Sequence, residues 1–413
     1  MSGHPLGAGV GEGQPLPNEI KAKVVTISVI RTYETPTRLV HGIGAIGKIG
    51  EEARALGMTR PLVVTDQGIV RAGLLDEALP ALKEAGLDPV VYDQVRANPD
   101  IALVDAGAEY YGSQGCDGLI GVGGGSSMDT AKSIGVVAVH GGSIVQYEYD
   151  HDPIERRIPP MIAVPTTAGT GSEVTLWAVI TDPDRRIKFN VGGTPNIAAW
   201  VALIDPALTV NLPPGVTAGT GMDALAHAVE CFTMEYHQPL TDAVALEAIE
   251  YVSRWLRVAY EDGGNLDARY HMSLGAMLAG MAYGTDSAGA AHAMSQSAGG
   301  VHDVPHGDLT GRLLGPVVEF NVPGSPDRFA RIAKAMGKEA RSEAAQADLA
   351  VEEVHQLTKD LNIPTLAQLG FAEDEIPMLA KIAFEDPQTV GNPRKLDVES
   401  YEQIYQRAFE AGK

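Results

Sequence analysis

Residues 118–135 read GLIGVGGGSSMDTAKSIG. The apolar run Gly118–Val122 ends in three glycines, Gly123, Gly124 and Gly125, and passes at once into a helical pattern over Ser127–Val137. Strand, glycine turn and helix start together make a phosphate cradle. Glycine lets a ligand approach the backbone, and the unpaired N–H groups of a helix N-terminus point at an anion. The run Gly121-Val-Gly123-Gly-Gly125-Ser126 approaches the strict dinucleotide fingerprint without matching it, so a plain tight turn is an open alternative at this point.

On either side of this unit the same alternation continues. Strands are expected at Arg38–His41, Pro61–Thr65, Pro89–Tyr92, Met161–Val164 and Val201–Ile204, with a further β segment at Ala22–Ile30. Helices are expected at Ile46–Ala55, Leu74–Ala85 and Ile101–Gln114. Short buried runs separated by helices of 10–15 residues indicate βαβ units and a parallel sheet. Beyond Leu212 the pattern turns to Ala-, Leu- and Met-rich stretches of helical period, from Ala218–Thr233 and Pro239–Glu261 through Asp267–Gly280, Gly289–Ala298, Pro326–Met336 and Ala344–Leu361 to Asp374–Phe384. Pro and Gly cluster near Ala207–Pro214. The expected organisation is a Gly/Pro-rich tail and lead-in strand over 1–32, an α/β dinucleotide-binding domain over 33–208 and an all-α domain over 209–413.

Composition limits the function. The 413 residues are 45% hydrophobic and 20% charged, which suits a globular chain with ample core. Lys and Arg number 31 against 53 Asp and Glu, a formal charge of −22 that disfavours nucleic acid and anionic membrane as partners. Two cysteines, Cys116 and Cys231, exclude a disulfide framework or a thiolate zinc site. With no secretory signal or membrane-spanning run in the pattern, a cytoplasmic location is expected.

Four further sites carry chemistry. Asp66 follows the strand Pro61–Thr65, where its carboxylate suits a ribose diol and repels a 2′-phosphate, favouring NAD over NADP; a turn or N-cap Asp is the competing reading. PTTAGTGSEVT, residues 165–175, places small hydroxyl residues and glycine at another strand end, suited to the same ligand or to a polar loop. GMDALAHAVE sets Asp223 and His227 four residues apart on one helix face. Farther on, HAMSQSAGGVHDVPHG concentrates His292, His302 and His306 among Ala, Met and Gly. One carboxylate with imidazoles is an N/O donor set for Fe(II) or Zn(II) and a poor one for Mg(II) or Ca(II).

In this order, GGGSSMDTAKSIG, PTTAGTGSEVT, GMDALAHAVE and HAMSQSAGGVHDVPHG resemble the iron-containing (group III) alcohol dehydrogenases, from about Tyr33 to the C-terminus. The resemblance implies a Rossmann-like N-terminal domain and a helical C-terminal domain in a dehydroquinate synthase-like architecture, with the active site in the cleft between. It implies metal ligation by Asp223, His227, His292 and His306, and NAD binding by Asp66, Asn98, Gly124, Gly125, Ser126, Asp129, Thr166, Thr167 and Lys188, with Leu208 beside the adenine. Many members carry a second histidine one turn after His292, where this chain has Gln296; His302 is the candidate replacement in proton transfer, or a loop residue. Trp177 falls where members line the substrate pocket. The implied activity is hydride transfer between a short primary alcohol or diol and NAD, the metal polarising the oxygen, in a homodimer or larger homo-oligomer. Rival readings are a hydroxyacid–oxoacid transhydrogenase with tightly held NAD and a non-catalytic nucleotide- or metal-binding scaffold. Lyases of the dehydroquinate synthase type and glycerol dehydrogenases of smaller ligand set fit the Asp/His/His/His pattern less well.

Overall fold

Six strands form one parallel sheet in the computed structural model, which describes residues 30–285 and 288–411. They are β1 (Arg38–His41), β2 (Pro61–Asp66), β3 (Val90–Val95), β4 (Gly118–Gly123), β5 (Met161–Pro165) and, after an antiparallel hairpin of β6 (Trp177–Asp182) and β7 (Ile187–Gly192), β8 (Val201–Ile204). The strand order is β1-β8-β5-β4-β2-β3. Pro61 pairs with Gly118 and Leu119 with Met161. β4, β5 and β8 are buried along their whole length, and β2 up to Asp66, because helices cover both faces; hence their unbroken Val, Leu and Ile runs. The segment expected at 22–30 lies outside the described residues except for Ile30, which is in no strand.

Five helices accompany the sheet: α1 (Ile49–Ala55), α2 (Gln67–Arg71), α3 (Ala78–Glu84), α4 (Ile101–Ser113) and α5 (Gly125–His140). From Pro214 onward the described residues form helices and turns only. In order these helices are α6 (Pro214–Thr233), α7 (Pro239–Glu261), α8 (Leu266–Thr285), α9 (Ala290–Val301), α10 (His306–Asn321), α11 (Pro326–Ala335), α12 (Glu343–Asp360), α13 (Ile376–Glu385) and α14 (Val398–Glu410). The Pro213-Pro214 pair starts α6, as expected of a residue whose missing N–H costs nothing in a first turn. From Thr32 on, sheet and helices pack as one unit.

Two features set the site's position. The chain runs from β2 outward to β3 and then returns to β4 on the other side of β2, so the carboxyl ends of β2 and β4 flank a topological switch point, where open α/β sheets bind ligands. Second, the β5–β6 loop meets α8 backbone to backbone. Gly171 has φ +61°, and a Cβ on it would lie 2.5 Å from Gly280 Cα; a Cβ on Gly280 would lie 2.7 Å from Gly171 Cα.

Gly171→Ala therefore combines a left-handed backbone penalty with overpacking and is expected to destabilise the fold by about 2–4 kcal/mol. Gly280→Ala, which meets the overpacking alone, is expected to cost about 1–3 kcal/mol. Urea denaturation midpoints check both values and their order.

Candidate metal centre and nucleotide cleft

Helix α6 is buried over almost its whole second half, and Asp223 and His227 share one of its faces. α9 brings His292 and the first turn of α10 brings His306. His292 Nε2 and His306 Nε2 each stand 3.5 Å from Asp223 Oδ1, and His227 Nδ1 stands 3.9 Å from Asp223 Oδ2. The ligand atoms of Asp223, His227 and His292 all fall within 4.8 Å of one another. The His227 and His292 ring centroids are 4.2 Å apart, and those of His292 and His306 5.6 Å.

This cluster has the polarity of a cation site. Asp223 Oδ1, His227 Nδ1, His292 Nε2 and His306 Nδ1 are buried without a hydrogen-bond partner among the described residues. Each such atom costs roughly 1–3 kcal/mol, a cost that coordination would remove at Asp223, His227 and His292; at His306 the nitrogen facing Asp223 is Nε2, and Nδ1 is the unpartnered one. Burial works to raise the Asp223 carboxyl, yet His227, His306 and His292 hold it well below the usual carboxylate range. Burial and the neighbouring His292 push His227 down to about 4; burial, with Lys188 and the other two rings, pushes His306 down to about 3. Neutral imidazole is the form that binds metal. At His292 burial also works downward, but Glu230 and Asp223 overcome it and raise the ring to about 10. The carboxylate and imidazole donors fit Fe(II) or Zn(II).

Glu230 is a residue that sequence reasoning missed. Its Oε2 lies 2.5 Å from His292 Nδ1 and its Oε1 accepts from the Ala291 N–H at 2.6 Å. This pairing keeps the proton on Nδ1 and turns Nε2 toward Asp223, the arrangement that orients a ligating histidine. The signal was present: Glu230 stands seven residues after Asp223 and three after His227, on the same helical face.

The glycine turn lies across the cleft. Gly123 has φ +150°, and a Cβ there would lie 2.4 Å from Ser127 Oγ and 3.7 Å from Asp66 Oδ2. A Cβ on Gly125 would lie 2.8 Å from Thr170 Cγ2, and one on Gly124 3.4 Å from Thr167 Oγ1. Gly124 caps α5 with no side chain, and while the Ser127 and Met128 N–H groups turn back to Gly124 O, those of Gly125 and Ser126 are the ones placed for an anion. The Ser127 and Thr166 hydroxyls beside it are buried without partners among the described residues. Asp66 fulfils its structural reading, its Oδ1 accepting from the Gly68 and Ile69 N–H groups to cap α2, while Oδ2 faces the turn.

Gly125, Ser126 and Asp129 line the same cavity as Asp223, His227, His292 and His306. Asp129 is committed on both oxygens, accepting from Ser172 Oγ at 2.5 Å and from the Val179 N–H at 3.0 Å. Lys188 donates to Asn98 Oδ1 at 2.8 Å, and Asn98 Nδ2 donates to Asp303 Oδ1 at 2.6 Å. Trp177 and Tyr283 form apolar walls, the Tyr283 ring 4.9 Å from His227. Asp66, Gly124, Thr166 and Thr167 stand at the glycine turn and the end of β5 rather than in the cavity lining, and His302 and Leu208 stand elsewhere. His302 is held against Glu375, Nε2 to Oε1 at 2.8 Å, with its ring on Phe371, and it does not line the cavity; proximity in sequence to His306 did not carry it there. These contacts support the loop-residue alternative for His302. Leu208 belongs to the apolar layer of Ile46 and Leu203 and likewise does not line the cavity.

Comparison with known proteins follows the same division. Residues 36–206 match the family model for iron-containing alcohol dehydrogenase, and residues 217–409 match that of the C-terminal part of the Fe-containing alcohol dehydrogenase family. The chain belongs to the iron-containing alcohol dehydrogenase family. It is 52% identical over 396 residues to a choline dehydrogenase of Bacillus subtilis (strain 168), covering 94% of this chain and 98% of that protein. It is 38% identical to a 1,3-propanediol dehydrogenase of Citrobacter freundii, over 91% and 98% of the two chains. The crystal structure of a 1,3-propanediol oxidoreductase superimposes with a TM-score of 0.89 at 37% identity, covering 92% of this chain and all of that one. A sulfoacetaldehyde reductase from Bifidobacterium kashiwanohense in complex with NAD+ superimposes with a TM-score of 0.84 at 29% identity, over 92% and 99%.

Replacing Glu230 by Gln is expected to lower iron or zinc affinity about 10- to 100-fold without loss of helical content, because the ligand loses its orienting carboxylate. Competition for metal against a buffered chelator, beside circular dichroism, measures the two quantities separately.

Proposed function

We propose that Asp223, His227, His292 and His306 hold a divalent iron, with zinc acceptable to the same donors, and that the chain oxidises a primary alcohol to its aldehyde while reducing NAD. The observation that carries this reading is a single cavity lined both by the helix start Gly125–Ser126 and by the Asp–His cluster. The metal supplies Lewis acidity to the substrate oxygen, and NAD accepts the hydride from the adjoining carbon.

The protein's own groups do the positioning. The glycine turn and first turn of α5 receive the pyrophosphate, with Thr166 and Thr167 at the end of β5 beside it, and Asp66 receives the adenine ribose. Asn98 and Lys188 close the side of the cleft nearest the cluster, while Trp177 and Tyr283 exclude water from the carbon that changes oxidation state. Leu208 lies in the apolar layer behind β8, with its adenine contact a matter for a cofactor complex. Gln296, one turn after His292, carries no titratable proton, so no acid–base relay runs through that side chain. Relatives named for choline, 1,3-propanediol and methanol have in common substrates with a hydroxyl on a primary carbon, and that is the class assigned here.

We place the protein in the cytoplasm: both described cysteines are free, and no helix among the described residues is long and apolar enough to cross a membrane. A homodimer or larger homo-oligomer is the assembly carried by the family likeness, read directly by light scattering.

His292→Ala is expected to abolish both metal content and NADH formation from ethanol or 1,3-propanediol, measured by elemental analysis and absorbance. Full turnover by demonstrably metal-free protein would overturn the assignment. Asp66→Asn, which keeps the α2 cap, is expected to reduce kcat/KM for NAD by about 10- to 100-fold, the worth of a charged hydrogen bond, and to narrow the preference over NADP. Paired assays with the two cofactors read both effects.

A further inference from the structure

A second cavity adjoins the metal cavity and shares Gln296 and Lys188 with it. Its walls come from residues 148–150 between α5 and β5, from β7, from Gln296 and Ser297 of α9, and from the end of α13 with the residues after it. Three observations give it a common polarity.

The first is unmet acceptors. Gln296 is 4% exposed, and among the described residues its Oε1 has no hydrogen-bond partner; Asn190 Oδ1 in the same cavity is likewise buried without one. Both vacancies are carbonyl oxygens. A ligand that meets them brings positive charge or donors, not acceptors. The second is charge. Glu148 is neutralised by Arg185 at 2.7 Å, and Lys188 is bonded to Asn98. Asp150, Glu385 and Asp386 remain as carboxylates with no ion pair among the described residues, three negative charges facing the one ammonium of Lys188. Burial pushes Asp386 up to about 6, which still leaves it ionised above neutral pH. The third is an aromatic face. Tyr149 is 46% exposed, and its ring meets Trp177 of the metal cavity edge-on at 5.3 Å, joining the two chambers with apolar surface that attracts a cation.

We propose that this chamber is a subsite for the cationic end of the substrate, an alcohol whose hydroxyl carbon lies two or three bonds from a quaternary or protonated nitrogen. The distance suits the arrangement: Gln296 follows His292 by one helical turn, about 5–6 Å, so a hydroxyl held at the cluster sets a nitrogen of such a molecule beside the Gln296 amide. A quaternary nitrogen gives its charge to Asp386, Glu385 and the Tyr149 ring, and its polarised methyl groups to the amide oxygens. A neutral alcohol of the same shape leaves those oxygens unmet. This inference rests on the alcohol-oxidation reading above and adds to it the identity of the group distant from the reacting carbon.

The test compares (2-hydroxyethyl)trimethylammonium with its uncharged isostere 3,3-dimethylbutan-1-ol in the NAD- and metal-loaded enzyme. The expected kcat/KM ratio favours the cation by about tenfold or more. Glu385→Gln with Asp386→Asn, and separately Tyr149→Leu, are expected to bring that ratio down by about three- to tenfold each. Calorimetric titration with tetramethylammonium chloride, which has no hydroxyl, is expected to show saturable binding that weakens in the same variants. A ratio near one in the unaltered enzyme, or a ratio unchanged in both the Glu385→Gln/Asp386→Asn double variant and Tyr149→Leu, overturns the subsite while leaving alcohol oxidation intact. Failure to oxidise either alcohol, or ethanol, while tetramethylammonium still binds refutes the oxidation reading and not the cation chamber.

Discussion

The helical half is organised around one buried carboxylate. Asp223 is 1% exposed, and an isolated charge in such a place would cost several kcal/mol. Its Oδ1 has no hydrogen-bond partner among the described residues, and imidazoles stand within 3.9 Å of its two oxygens. Glu230 stands behind His292 as a second carboxylate, so the pair Asp223 and Glu230 carries two negative charges, the number that balances a dication. The arrangement makes sense as a receptacle and is expensive as a core.

That receptacle explains the composition of the helices that build it. For three helices to bring short imidazoles within coordination distance, their axes have to approach more closely than Leu-rich packing allows. α6 and α10 meet at glycine: a Cβ on Gly307 would lie 2.4 Å from Gly219 O, and a Cβ on Gly219 2.5 Å from Asp308 Oδ1. Gly289, at the start of α9, packs against Glu230 in the same way. Small residues at these crossings set His306 and His292 beside Asp223, just as Gly171 on Gly280 sets the sheet's loop beside α8. Close approach in one half and the strand switch point in the other bring the two sets of ligands to a shared cavity.

How far the sequence was legible follows from the same physics. β2, β4, β5 and β8 were readable because both faces are buried and their apolar runs are unbroken. The β6–β7 hairpin was not: its burial alternates, and Lys188, Asn190 and Arg185–Arg186 interrupt the pattern. α10 was lost because Gly307, Gly311, Gly315 and Pro316 speak against a helix, yet the glycines at 311 and 315 sit where Met222 and His355 press in, a tertiary demand that outweighs propensity. α14 went unread although its stripe of Tyr401, Ile404, Tyr405 and Ala408 is regular, since the charged face dilutes it. At the site, spacing on one helix was informative for Asp223 and His227. Spacing along a loop was not, because it says nothing about direction: His302 and His306 are four residues apart, and only one reaches the cluster.

Of the elements that escaped the sequence pattern, the β6–β7 hairpin lines both cavities. The candidate ligands Asp223, His227 and His292 sit on α6 and α9 and the candidate phosphate-binding glycines at a strand end, where the folding pattern is strong; His306 opens α10, where it is not. The remaining walls come from the β6–β7 hairpin, the 148–150 turn and the end of α13, half-exposed segments of mixed polarity. Hydride transfer constrains the first group, since metal, nicotinamide and carbon have to meet in one geometry. It leaves the second group free to match whatever the alcohol carries at its far end. Gln296 stands at the boundary between them, on the metal-binding helix but opening onto both chambers. An amide there carries no titratable proton and leaves its Oε1 without a hydrogen-bond partner among the described residues, at the one side chain besides Lys188 that both cavities share.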